Sequence, residues 1–317
     1  MSWSISWWIC VIPCWTQGCV MRTKVSDQSV VRSRAQGFSA AARQVFGRGF
    51  GPGFWIAAGW LLVVALSAIF ADVLPVRDPL DPVISNRLNG PLTTNILGAD
   101  GLGRDMLSRL VHGARVSVVI ALTAVTIGMV IGGTLGILAG YFRGHFERGL
   151  MAVLDVILAF PWLVLLLALV AFIGQSLMAI SVAIGFLWIP AYARVARANT
   201  LSVVQREYVL AARAMGAGTL RILLREVLPN VILPVLAYGL VAMGLVIIVE
   251  SALAFLGLSV EAPQPTWGGM ISEGKRHLAT AVHVALVPSI TMFLTVLSLN
   301  YVGDRLRSRF DVRESNL

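Results

Sequence analysis

The chain has 317 residues, enough for two soluble domains or for one membrane domain of about six spans. Hydrophobic residues make up 57% and charged residues only 13%, with a mean hydropathy of +0.81. A soluble chain carries roughly 25% charged residues, so a soluble globular protein, a disordered chain and a nucleic-acid-binding domain are all excluded as readings of the whole. The net charge of +9 fits a membrane protein, whose cytoplasmic loops are enriched in Lys and Arg.

Residues 1–50 read as a cytoplasmic tail. Its start contains all three cysteines, Cys10, Cys14 and Cys19, at a spacing that matches no zinc pattern. Trp3, Trp7, Trp8 and Trp15 surround them, and no Lys or Arg precedes the apolar run as in a signal peptide. Residues 1–20 are expected to be dispensable, with Met21 as an alternative start. Six apolar segments follow, at 54–74, 116–142, 151–173, 177–193, 231–256 and 284–303. Each is expected to be helical, because backbone exposed to lipid must satisfy its own hydrogen bonds. The organisation is then 51–115 for the first span and its outer loop, 116–303 for the core membrane domain, and 304–317 for a C-terminal tail.

Eighteen Lys and Arg fall in the N-terminal tail, 143–148, the 194–230 loop and the C-terminal tail, against seven in the loops on the other side. That bias puts both termini and 194–230 in the cytoplasm, with 75–115 and 257–283 outside. The expected fold class is an all-α integral membrane protein of about six transmembrane helices.

Gly128, Gly132, Gly136 and Gly140 recur every four residues along the second span, a smooth face suited to close helix packing in lipid. Two carboxylates stand within spans, Asp155 near Pro161 and Glu250 in the fifth segment. An intramembrane acid is a candidate polar site, with a structural hydrogen bond to a neighbouring helix as the plainer reading. Gly269–Arg276 imitates a phosphate-binding loop, but Arg276 replaces the hydroxyl residue that would meet magnesium and no strand precedes it. The four histidines are scattered. No catalytic residue, metal site or cofactor of this chain is expected.

The most informative stretch is 194–230. Leu201, Val204, Tyr208, Ala211, Ala212 and Met215 fall at helical spacing, which predicts an amphipathic helix over 200–215. Gly216 and Gly218 break it, and Thr219 is placed to cap a second helix ending at Pro229. Helix–Gly–helix makes a protruding hairpin, slim at Ala211, Ala212 and Ala214; an amphipathic helix lying on the bilayer is the competing reading.

This stretch resembles the EAA coupling loop of ABC-importer permeases, of the pattern E-A-A-x3-G-x9-I-x-L-P. Ala211, Ala212, Gly216, Leu228 and Pro229 stand in register; Leu210 replaces the first acid and Glu226 the Ile. The local form Glu207-Tyr208-Val209-Leu210-Ala211-Ala212-Arg213-Ala214-Met215-Gly216 is similar to the variant of the dipeptide/oligopeptide/nickel branch, whose acid lies three residues earlier. LGADGLGRD (97–105), ESALAFLGLSVEAPQPTWGGMISEG (250–274) and GDRLR (303–307) are similar to segments of the second, "C-type", permease of those systems.

The resemblance covers about 50–313. It implies a type I importer permease fold in a bacterial inner membrane and half of a translocation pathway for peptides, nickel chelates or related small solutes. The partners implied are a sister permease, two cytoplasmic ATPases that hold ATP and magnesium, an extracytoplasmic solute-binding protein and membrane lipid. Glu207, Tyr208, Ala211, Ala212, Arg213, Gly216, Leu228 and Pro229 would couple the chain to the ATPases. A stand-alone channel or secondary transporter is the alternative. It calls for midplane ion-pairing residues or broken helices in repeated halves, and the sequence shows neither clearly.

Overall fold

A computed structural model describes residues 51–314, and the cysteines, the tryptophan-rich start and the rest of 1–50 lie outside them, as do residues 315–317. The principal helices are α1 (Pro52–Ile69), α2 (Met106–Phe142), α3 (Gly144–Ala159), α4 (Trp162–Ile173), α5 (Leu177–Val204), α6 (Glu207–Ala214), α7 (Thr219–Phe255), α8 (Trp267–Gly274) and α9 (His283–Glu314). Among the described residues the only bridge outside helices pairs Ala99 with Asp105. Helices α1, α2, α5, α7 and α9 are long and apolar enough to cross a membrane. Helices α3 and α4, bent by 84° at Phe160–Pro161, make a sixth candidate when the pair is counted as one span.

Several boundaries differ from the sequence reading. Helix α2 begins at Met106, ten residues before its apolar segment, because Asp105 caps it by accepting a hydrogen bond from the Ser108 amide at 3.2 Å. Arg109, His112 and Arg115 then occupy its first turns, where an apolar-run search stops. Helix α5 continues through Pro190 to Val204. The expected helix over 200–215 is therefore two elements: Leu201 and Val204 end α5, and the chain breaks at Gln205–Arg206 before α6. Thr219 is the first helical residue and not a cap. Pro229 does not end that helix, since it sits where α-helical hydrogen bonding resumes after a π turn at Leu223–Val227, and α7 runs on to Phe255.

The core lies where α2, α5 and α7 meet, with Ile120, Ala124, Ile184, Tyr192, Val231 and Ile247 among its buried side chains. Helix α9 covers α7, and α1 packs outside against α2 and α9, where the Trp60 indole donates to Thr295 Oγ1 at 3.1 Å. The closest approach is between α2 and α5. A Cβ on Gly132 or Gly136 would run into the carbonyl oxygen of Ile189 or Ala193, and one on Gly128 or Gly140 would stand 2.9 Å from Tyr192 Cδ2 or 2.8 Å from Thr200 Cβ. All four glycines therefore face α5, and small size at these positions sets the interhelical distance. Gly133, beside this stripe, would meet nothing within 4 Å.

This contrast gives a paired test. Gly136→Ala should lower the thermal midpoint of the detergent-solubilised protein, because backbone opposes the added methyl. Gly133→Ala should leave it unchanged or raise stability by about 0.5–1 kcal/mol through helix propensity. Equal behaviour of the two variants would contradict the packing.

Candidate functional site

The hairpin between α5 and α7 is built by local rules. At the end of α6 the Ala217 amide donates to Ala212 O and the Gly216 amide to Arg213 O, each at 3.0 Å, with Gly216 at φ +81°. This is a Schellman ending, in which glycine takes the left-handed position that other residues adopt at a cost. No atom lies within 4 Å of a Cβ at Gly216, so conformation and not space selects glycine there. Val209 is buried and anchors α6, and the Arg213 guanidinium sits 5.7 Å from the ring centroid of Tyr141 near the end of α2. Glu207, Tyr208, Leu210, Ala211, Ala214, Met215 and Leu220 are exposed around the turn, whereas Ala212 is half-buried.

Of the residues singled out in this region, Glu207, Tyr208, Ala211, Ala212, Arg213 and Gly216 come together in one protruding element. Leu228 and Pro229 do not join it. They lie nine or ten residues along α7, about 14 Å from its start.

The two span carboxylates are far apart in role and place. Glu250 is 1% exposed, and its Oε1 accepts from the Ser259 hydroxyl at 2.6 Å, tying the end of α7 to the segment before α8. Asp155 is exposed on α3 and pairs with Arg194 of α5 at 2.6 Å.

A further cluster was not read from the sequence. Asp100, Arg104 and Arg109 are all buried, at 2%, 7% and 2% exposure. Asp100 accepts from the Leu102 and Arg104 amides at 2.8 and 2.9 Å, from Arg104 Nε at 2.6 Å and from Arg109 Nη1. Glu273 of α8 reaches the same two guanidinium groups, at 3.1 Å from each. Burial alone would push the Asp100 carboxyl up. Arg109, the Arg104 and Leu102 amides and the Arg104 guanidinium outweigh it and hold the carboxyl below its ordinary value. The loop before α2 is thus locked to α8. Nearby, Trp267 is fully buried; its indole donates to Leu110 O and its amide to Ser117 Oγ. Asp100 and Arg104 are four residues apart and Glu273 is 169 residues from Arg104, so only the fold brings the set together.

Comparison with known proteins places this architecture. Residues 132–316 match the family model described as "Binding-protein-dependent transport system inner membrane component". The glutathione transport system permease protein GsiD of Pectobacterium atrosepticum is 40% identical over 258 residues, which is 81% of this chain and 86% of that protein. The di/tripeptide transport system permease protein DppC of Pseudomonas aeruginosa is 38% identical over 263 residues, 81% of this chain and 87% of that protein. Among solved structures, an inward-facing conformation of the MetNI methionine ABC transporter aligns with a TM-score of 0.54 at 20% identity, covering 65% of this chain and 97% of the matched chain. That likeness shows a shared fold.

The buried cluster makes a stability prediction. Arg109→Met removes one partner and leaves buried carboxylate charge behind, which should cost about 3 kcal/mol, read as a lowered thermal midpoint at neutral pH. Because the folded pKa of Asp100 is depressed, its stabilisation is present above its ordinary value of 3.8 and is lost as pH falls below that value. Acid unfolding of Asp100→Asn should therefore lack part of the wild-type pH dependence.

Proposed function

The chain belongs to the family of binding-protein-dependent transport system inner membrane components, and from that premise we propose that it imports peptide-sized solutes and takes up ATPase motion through the hairpin at 205–218. It is a permease subunit of an ATP-driven importer and is itself non-catalytic. The observation that carries the substrate class is the match over about four-fifths of the chain to permeases named for glutathione and di- and tripeptides. The assembly pairs this chain with a sister permease, two cytoplasmic ATPases that hold ATP and magnesium, and an extracytoplasmic solute-binding protein. Both termini and the hairpin face the cytoplasm, which the charge bias supports.

The mechanical argument rests on α7. Its 37 residues form a rod of about 55 Å that starts immediately after the hairpin, at Thr219. At its far end Glu250 and Ser259 hold the segment leading to α8. Movement of docked ATPases displaces the hairpin, and α7 carries that displacement through the bilayer without an intervening loop. Exposed Tyr208, Leu210, Met215 and Leu220 provide apolar contact area, and Ala211 and Ala214 leave room for the partner's surface.

Two substitutions test the coupling role. Gly216→Pro removes the amide that bonds Arg213 and imposes a negative φ; Ala211→Trp fills the exposed small face. Both variants should reach the membrane and pair with the sister permease normally, while ATPase co-purification weakens about tenfold, equivalent to 1.4 kcal/mol, and uptake is lost. Glu207→Gln should act more mildly. Wild-type uptake in both Gly216→Pro and Ala211→Trp would refute the assignment.

Orientation has its own test. Single cysteines at Ser85 and Gln264 should be labelled by an impermeant reagent in spheroplasts, and one at Ala217 should not. External labelling of Ala217→Cys would invert the topology.

A further inference from the structure

The buried face at the start of α7 does not keep one spacing. Ile222, Val227, Val231 and Val235 are all buried and all belong to the main core cluster. Val227, Val231 and Val235 follow one another every four residues, but Ile222 stands five before Val227. With about 3.6 residues per turn, residues five apart on an α-helix point roughly 140° away from each other, so Ile222 and Val227 could not share a face. The π turn at Leu223–Val227 absorbs the extra residue, and the Leu228 amide donates to Leu223 O, five residues back. A single π turn of this kind is a local widening within an otherwise α-helical run, found often at functional sites.

Two residues beyond the turn keep it from closing to α geometry. Pro229 has no amide to donate to Arg225 O, the bond that an α-helix would make there. Asn230 Nδ2 donates to Glu226 O at 2.6 Å, so a side chain holds the next carbonyl. Neither residue belongs to the hairpin, and both are exposed. An α-helix through the same residues would turn Thr219–Ile222, and the hairpin joined to it, by about 100° relative to the rest of α7. Either the exposed Tyr208, Ala211 and Met215 would then face elsewhere, or Ile222 would leave the core.

We propose that Pro229 and Asn230 are positioning residues of the coupling step, which hold one extra residue in the π turn and so fix the angle at which α6 meets the ATPases. The inference rests on the hairpin being the ATPase contact. It gives Pro229 a role at a distance from that contact and adds Asn230 to the residues on which coupling depends.

The test uses cells carrying the complete transporter, with wild-type uptake of a labelled dipeptide and of labelled glutathione as the reference. Pro229→Ala with Asn230→Ala supplies the missing amide and removes the side-chain bond, so the ladder is free to close as α. Uptake should fall about tenfold or more, because a turn of that size exceeds the roughly 10–20° within which a contact surface works. Membrane abundance and pairing with the sister permease should stay normal. Deleting the exposed Leu224 from that double variant removes the extra residue, returns Ile222 and Val227 to a four-residue spacing, and should restore uptake. Rescue by a deletion is a result that lost packing alone does not give. Wild-type uptake in the double variant, or a loss that the deletion fails to restore in assembled complexes, would overturn the proposal. If the double variant does not assemble, Pro229→Ala with and without the deletion decides by the same criteria. Gly216→Pro separates this inference from its premise. Its loss of uptake beside an unaffected double variant removes only the role of the π turn, whereas wild-type uptake in both Gly216→Pro and Ala211→Trp removes the hairpin reading as well.

Discussion

The need to satisfy backbone hydrogen bonds in hydrocarbon governs this structure. It makes every span a helix and drives the irregular backbone to the two ends of the bundle. The segment before α2, the turn before α8 and the hairpin all lie at helix termini. Side chains finish the work there: Asp105, Ser176 and Thr266 accept from amides at the starts of α2, α5 and α8. At the 84° break between α3 and α4 no side chain caps the start of α4.

Within the layer, packing cannot draw on a hydrophobic driving force between helices, since lipid is as apolar as leucine. Close approach substitutes for it. Gly132 and Gly136 let the backbone of α2 rest on carbonyls of α5, and each such contact is lost if a methyl is added. At the α8 end the strategy is opposite. Buried Asp100, Arg104 and Arg109 are joined by Glu273, an arrangement whose Coulomb gain must offset heavy desolvation. Its return is geometric, since four charged groups permit few arrangements and fix α8 against the start of α2.

Much of this could be read in the sequence, and the misses have physical causes. Apolar runs located the spans because lipid selects for them directly. Their ends were misplaced at α2, α5 and α7, where polar helical turns continue beyond the bilayer and capping decides the boundary. The 151–173 segment reads as one span because Pro161 alone does not reveal whether a helix kinks or breaks. Gly216 was legible because a left-handed turn leaves a residue-type signature. Glu273 was not, because an acid on a short helix says nothing about arginines 164 and 169 residues away.

The hairpin and helix α3 both engage the same helix, α5. Its C-terminal end leads straight into the element proposed to receive force, while Arg194 is held by Asp155 of α3. Glu147 of α3 also grips α5, at Arg197. Helix α3 is therefore fastened twice to the part of α5 nearest the hairpin, whereas α4 packs against α5 through apolar contacts without an ion pair among the described residues. A displacement entering through α6 would carry α3 with α5, and Pro161, which has no amide to donate, begins the next helix. On this geometry the two ion pairs make α3 and the lower part of α5 one mechanical unit, and the 84° break at Phe160–Pro161 separates that unit from α4.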